Sequence, residues 1–152
     1  MADELISVGG SGSKKKLRDM ADGSWAEIVA PAANTSAVLL ASAVQAATIS
    51  TPDQANLSAR GVEIIFDITA VPTIVTVTLT VEAKDPASGK YYTLLAGAAE
   101  VAIATRVYRL YPGLTAVANA TVSDVLPSKW RVTVTPSGAG NFTYSVGAHL
   151  LA

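Results

Sequence analysis

The sequence predicts an all-β fold: an antiparallel β-sandwich, immunoglobulin-like or jelly-roll-like, preceded by an extended N-terminal arm. Three observations carry that expectation. Apolar and polar residues alternate with period two in several segments after residue 60, which is the signature of half-buried strands. Glycine- and proline-bearing turns separate those segments. No clear amphipathic helix interrupts them. A closed barrel is the alternative, since alternation alone does not decide closure.

The chain has 152 residues, 50% of them hydrophobic and only 15% charged, with a net charge of −1. The charged share lies below the roughly 25% of an average globular domain, and the mean hydropathy is +0.38. Such a composition suits either a membrane segment or a protein that buries surface against partners. A spanning helix needs about 20 consecutive apolar residues. The best stretch, 28–49, is broken by Pro31, Asn34, Thr35, Ser36, Ser42 and Gln45, so no membrane helix is expected. The first ten residues carry Asp3, Glu4, Gly9 and Gly10 where a secretory signal needs a basic then apolar run. Folding is therefore expected where the chain is made. With no cysteine, disulfides and thiolate chemistry are excluded. The near-zero net charge gives no field favouring nucleic acid.

Residues 1–24 read as a flexible, basic arm and residues 25–152 as the sandwich. Gly9-Gly10-Ser11-Gly12-Ser13 has spacer composition, and Lys14, Lys15, Lys16 and Arg18 follow it as a basic cluster. The cluster reads either as a solvated tail or as part of an arm that orders against a neighbouring subunit; an acidic patch on a protein neighbour is then its expected partner, because three lysines bind phosphates weakly at physiological salt. Residues 25–29 form a short strand candidate after the turn Asp22-Gly23-Ser24. Residues 36–49 stay open between helix and strand: Ala and Leu favour one, Val, Thr and Ser the other. The β-signals downstream lean the reading to strand and irregular structure.

In residues 62–68, Val62, Ile64, Phe66 and Ile68 share one face, with Glu63 and Asp67 on the other around Ile65. Residues 74–84 hold the longest alternation, with Val75, Val77, Leu79, Val81 and Ala83 inward and a threonine ladder outward. The turn 85–90 makes a hairpin with residues 91–95. Residues 106–111 form the next strand and end at Pro112-Gly113. Trp130, Val132 and Val134 face inward on residues 130–135. After the turn 136–141, Phe142, Tyr144, Val146, Ala148 and Leu150 line the last strand.

Catalytic constellations are missing from this pattern, and the chain is not expected to be an enzyme. His149 is the single histidine and falls on outward parity. Glu63 and Asp67 stand about 13 Å apart at strand rise, too far for a glycosidase pair. Gly9 to Lys16 departs from the G-x-x-x-x-G-K-[ST] phosphate loop and lacks its strand and helix. No cofactor or metal is expected. Trp25, Tyr91, Tyr92, Tyr108 and Tyr111 are candidate interface residues, because such side chains combine contact area with a polar tip; ordinary sheet packing is the alternative for the tyrosines. An alternative use of Trp25, Tyr92 and Tyr111 is a stacking platform for carbohydrate or a receptor.

Several stretches carry a resemblance. Residues 57–70 and 78–95, the latter including Asp85-Pro86-Ala87-Ser88-Gly89-Lys90-Tyr91-Tyr92, resemble small β-sandwich proteins from the structural gene clusters of tailed bacteriophages. Tyr108-Arg109-Leu110-Tyr111-Pro112-Gly113 and Leu126-Pro127-Ser128-Lys129-Trp130-Arg131-Val132 fit the same pattern, and residues 17–29 look like the leader segment of such proteins. The resemblance implies a virion component assembled in the host cytoplasm: a capsid decoration (cement) protein, or a neck- or tail-associated one. It implies a homo-oligomer with other virion proteins, such as the major capsid protein, as partners. It transfers no catalytic residue.

Overall fold

A computed structural model describes residues 33–152 throughout and, before them, the backbone of three strands. The chain divides into two compact units, Met1–Ala32 and Ala33–Ala152. In the first, β1 (Asp3–Ser7) pairs antiparallel with β2 (Lys14–Asp19), and β2 pairs with β3 (Trp25–Glu27). The sequence reading has a flexible, basic arm over residues 1–24 and the sandwich over residues 25–152. Strand pairing takes in Lys14, Lys15, Lys16 and Arg18, and the two units divide after Ala32. The reason is the partner of β3: Asp19 lies opposite Trp25 and Leu17 opposite Glu27, so this strand completes the N-terminal sheet. The spacer residues 9–13, and Ile28 and Val29 of the expected strand, lie outside the described residues.

The second unit is an all-β sandwich. Its strands are β4 (Thr35–Gln45), β5 (Ile49–Ser50), β6 (Gln54–Ala55), β7 (Gly61–Ala70), β8 (Val77–Lys84), β9 (Tyr91–Ala96), β10 (Ala104–Leu110), β11 (Thr121–Val122), β12 (Lys129–Pro136) and β13 (Phe142–Leu151). One sheet has the order β11-β10-β7-β13-β4; the other runs β5-β12-β8-β9, with β6 also on β12. All pairs are antiparallel except β10 with β11, which is parallel. The stretch 36–49 resolves as strand and irregular structure: β4 runs to Gln45 and pairs with β13, residues 46–48 are irregular, and β5 starts at Ile49 on β12.

Two apolar faces make the core. Val62, Ile64, Phe66 and Ile68 of β7 join Tyr108, Leu110, Tyr144, Val146 and Ala148 from its neighbours. Against them lie Val77, Leu79, Val81, Leu95, Trp130, Val132 and Val134. Phe66 and Tyr144 meet edge to face, with centroids 5.3 Å apart. Each fully buried side chain of this size stabilises the fold by about 1.5–3 kcal/mol, so the period-two faces supply the driving force that the sequence implied.

Two local expectations change. The strand expected over residues 74–84 begins at Val77, because Ile74 takes a left-handed backbone (φ 70°) within a turn. Val75 is half-buried beyond the strand, while the Thr76 N–H donates to Ser137 Oγ at 3.0 Å. On β9, Val81 faces Leu95 but Glu82 faces Thr93, leaving Leu94 as a bulge. The β8–β9 hairpin closes as expected. The Asp85 carboxylate accepts the N–H groups of Ala87 (3.0 Å) and Ser88 (3.2 Å), and Gly89 supplies φ 71°. These bonds, led by the one from the Ser88 hydroxyl, hold the Asp85 carboxyl below its ordinary range.

The two ends of this unit meet. Thr35 lies opposite Leu150, the Ala152 N–H donates to Asn34 Oδ1 at 2.9 Å, and the Tyr111 hydroxyl donates to the Ala152 carbonyl at 3.3 Å.

Candidate interaction surface

The outer face of the first sheet is organised in rows across the strands. Pairing places Val107 opposite Ile65, Ile65 opposite Gly147 and Gly147 opposite Val38. An apolar row therefore crosses β10, β7, β13 and β4, with Val38 76% exposed. Polar rows flank it. On one side, Arg109 Nε donates to Glu63 Oε2 at 2.6 Å, and Ser36 Oγ lies 2.8 Å from His149 Nδ1. On the other, the Thr105 hydroxyl donates to Asp67 at 2.7 Å. Glu63 and Asp67 are thus held by separate partners, and the single histidine faces outward beside a serine.

Gly147 interrupts the apolar row with a notch. A groove of about 290 Å³ opens there, lined by Val38, Ile65, Gly147 and His149 among others. A Cβ built on Gly147 would come no closer than 3.9 Å to the Ala37 carbonyl oxygen. Sterics do not demand a glycine here, and its missing side chain is what shapes the groove.

This sheet ends at β4, an edge strand of eleven residues with no charge and no proline. Most of it is exposed, including Val44 at 62%. Edge strands normally carry charges, prolines or shortness that discourage pairing with another chain. The signal was present in the sequence, as residues 28–52 contain no charged side chain.

The outer face of the other sheet is a polar network centred on Tyr91. Its hydroxyl donates to the Asp53 carboxylate, which also takes Lys84 Nζ at 2.8 Å. Lys84, and then Tyr91, hold the Asp53 carboxyl below its ordinary value; Asp53 in turn raises Lys84. Arg131 lies over the Tyr91 ring and binds Glu82 Oε2 at 2.8 Å, and the Thr133 hydroxyl donates to the same oxygen at 2.7 Å. The threonine ladder is seen in register, Thr80 opposite Thr133 and Thr78 opposite Thr135. This network consumes its own charges within the sheet.

The sequence-predicted residues are dispersed. Lys14, Lys15, Lys16 and Arg18 lie on β2 and Trp25 on β3; their side chains lie outside the described residues. Tyr91 is half-buried in its network. Tyr92 is 50% exposed at the β9 edge. Tyr111 is half-buried and tied to Ala152. Tyr108 corrects an expectation: it is buried, because it shares inward parity with Leu110 and lies opposite Ile64. Burial, with the nearby Glu100 charge, pushes its hydroxyl up to about 12. Tyr92 lies on β9 of one sheet, Tyr111 follows β10 of the other, and Tyr91's ring is covered by Arg131, so these tyrosines form no common stacking platform.

Glu100, nearly buried, receives both Arg106 nitrogens, Nε at 2.8 Å and Nη2 at 2.7 Å, a bidentate clamp of the strong kind. It pins the 97–103 loop to β8 through the Val77–Glu100 bridge and leaves Val101 and Ile103 exposed. Among the described residues, no group of three or more His, Asp or Glu side chains could hold a metal ion. No helix among them is long and apolar enough to cross a membrane.

No family model matches the chain, and no curated protein matches it. Among solved structures it is similar to a chain of the infectious bursal disease virus Gx strain, at 10% identity and a TM-score of 0.43, covering 97% of this chain and 37% of that one. A chain of the Gt strain is similar at 8% identity and a TM-score of 0.42, covering 97% of this chain and 42% of that one. The chain thus spans well under half the length of the chains it matches.

Proposed function

We propose that this protein is a structural component of a tailed-phage virion, and specifically a capsid decoration (cement) protein that binds the assembled head. The reading is of a non-enzymatic protein that uses no cofactor and recognises no specific nucleic acid, with further copies of itself and the major capsid protein as partners. The sequence resemblance supplies the setting. The observation that carries the role is the outer face of the first sheet, where an apolar row and an uncharged edge strand stand exposed beside polar rows. A surface of this kind buries area against protein neighbours, and many copies on a repeating lattice multiply weak contacts into firm attachment.

The test is to mix the purified protein with phage heads stripped of accessory proteins, sediment them, and image the pellets by electron microscopy. Saturable density repeating with the head lattice is the expected result. Attachment only at the neck or tail would reassign its place on the particle, and no attachment to any particle would sink the virion reading.

A further inference from the structure

We infer that β4 is a self-pairing edge: two copies of this chain join antiparallel through Thr35–Gln45, making one continuous sheet from two five-stranded ones. The inference names the surface through which the self-association proposed above would run, yet it rests on β4 alone.

The first argument is the inequality of the edges. The two sheets of the sandwich end in β11, β5, β9 and β4. β11 and β5 are two residues long, and β9 is six residues long with a bulge at Leu94. Short or bulged edges are the usual protection against adding another strand. β4 also carries bulges, two of them against β13, but at eleven residues it is the longest of the four edges and has neither charge nor proline.

The second argument is phase. β4 carries two bulges against β13: Ala43 faces Tyr144, Leu40 faces Val146 and Val38 faces Gly147, so each step adds one residue to β4. One bulge would put the two ends of the strand out of phase, and a second restores them. Ala37 lies opposite buried Ala148, and Ala43 opposite buried Tyr144, so both point to the core side, although both are exposed. Turning a second copy about a two-fold axis at Leu40 then sets Thr35 against Gln45 and Ala37 against Ala43 of the other copy, core side with core side. Ser36 meets Val44 of the other copy on the outer face. The irregular centre sits on the axis, and the regular ends provide the ladder.

Charge supports the same occupant. With no charge of either sign, β4 carries no code selecting a differently charged strand, while uncharged against uncharged incurs no repulsion. Size sets the strength. A strand of this length is about 36 Å long, and a sheet edge about 10 Å deep, so pairing covers on the order of 700 Å² in total. That falls short of the roughly 1,000 Å² of a stable interface, and the dimer is reversible.

The experiment uses the full chain. Sedimentation velocity across a concentration series should show the 15.6 kDa species giving way to twice that mass. Hydrogen exchange in parallel should show amides of Thr35–Gln45 slowing only as concentration rises. The V38K/V44K variant places lysines at two exposed positions; it should keep the wild-type circular dichroism and melt, and lose the heavier species. A wild-type chain that stays at one mass, a variant that pairs as well as wild type, or β4 amides equally protected at every concentration would each overturn the inference. If the variant fails to fold, the wild-type exchange series decides alone. Head binding is measured separately, so a monomer that still binds heads refutes self-pairing and leaves the virion reading standing.

Discussion

The Arg131 guanidinium carbon lies 3.4 Å from the centre of the Tyr91 ring. That distance makes the arginine a lid on the aromatic face, and Glu82 holds it in place from β8. A flat guanidinium can stack and hydrogen-bond at once, which an ammonium cannot. Arg131→Lys should therefore lower stability by about 0.5–1 kcal/mol, read as a shift in urea midpoint at unchanged m-value. Asp53, at the hydroxyl end of Tyr91, has a depressed folded pKa. Its contribution is present above the ordinary value of 3.8 and is lost as pH falls below it. An acid titration of Asp53→Asn should be flatter than wild type in that range.

At alkaline pH the sign reverses. Burial raises the Tyr108 and Tyr144 hydroxyls from 10.0 to about 12. The unfolded chain releases these protons first, so stability is complete below pH 10 and declines as pH rises through about 12. Both hydroxyls are buried without a hydrogen-bond partner among the described residues. Tyr144→Phe should raise stability at neutral pH by roughly 1 kcal/mol, and the Y108F/Y144F variant should flatten the alkaline decline in thermal melts.

Gly61 and Gly147 make opposite predictions. A Cβ on Gly61 would lie 2.3 Å from the Leu110 carbonyl oxygen, a clash with backbone that cannot rotate away. Gly61→Ala should cost about 1–3 kcal/mol. Gly147→Ala makes only an ordinary contact, 3.9 Å from the Ala37 carbonyl oxygen, and should add roughly 0.5–1 kcal/mol by removing glycine from a strand. The same substitution partly fills the groove between Val38 and Ile65. Higher thermal stability with weaker head binding is the expected pair of readings.

Ile74 is 97% exposed in a backbone region that a β-branched side chain tolerates poorly. Ile74→Gly should raise stability by about 1 kcal/mol, measured by chemical denaturation, since no packing is lost.

How far the sequence could be read follows from these same residues. In Val62 to Ile68, Trp130 to Val134 and Phe142 to Ala148 every second residue is apolar and most of those between are polar, so one face declares itself. Residues 74–76 continue that alternation in name only; a left-handed residue at 74 is a backbone event that a β-branched side chain gives no reason to expect. β4 was ambiguous because Ala, Ser, Val and Thr show little contrast between faces, and its two bulges further blur the period. Tyr108 looked like an interface residue by type, whereas its parity with Leu110 hid it. The apolar row depends on pairing four strands in register, and one strand at a time cannot disclose it. Absence of charge over 28–52 was the one legible trace of that surface.

The bond between Asn34 and Ala152 has a consequence for engineering. The sandwich unit is entered and left at one point, so residues 34–152 alone can be circularly permuted: a short peptide bridging these two residues, with new termini opened in the exposed Pro86–Ser88 turn, keeps the register of both its sheets. Such a permutant would display cargo from the β8–β9 hairpin.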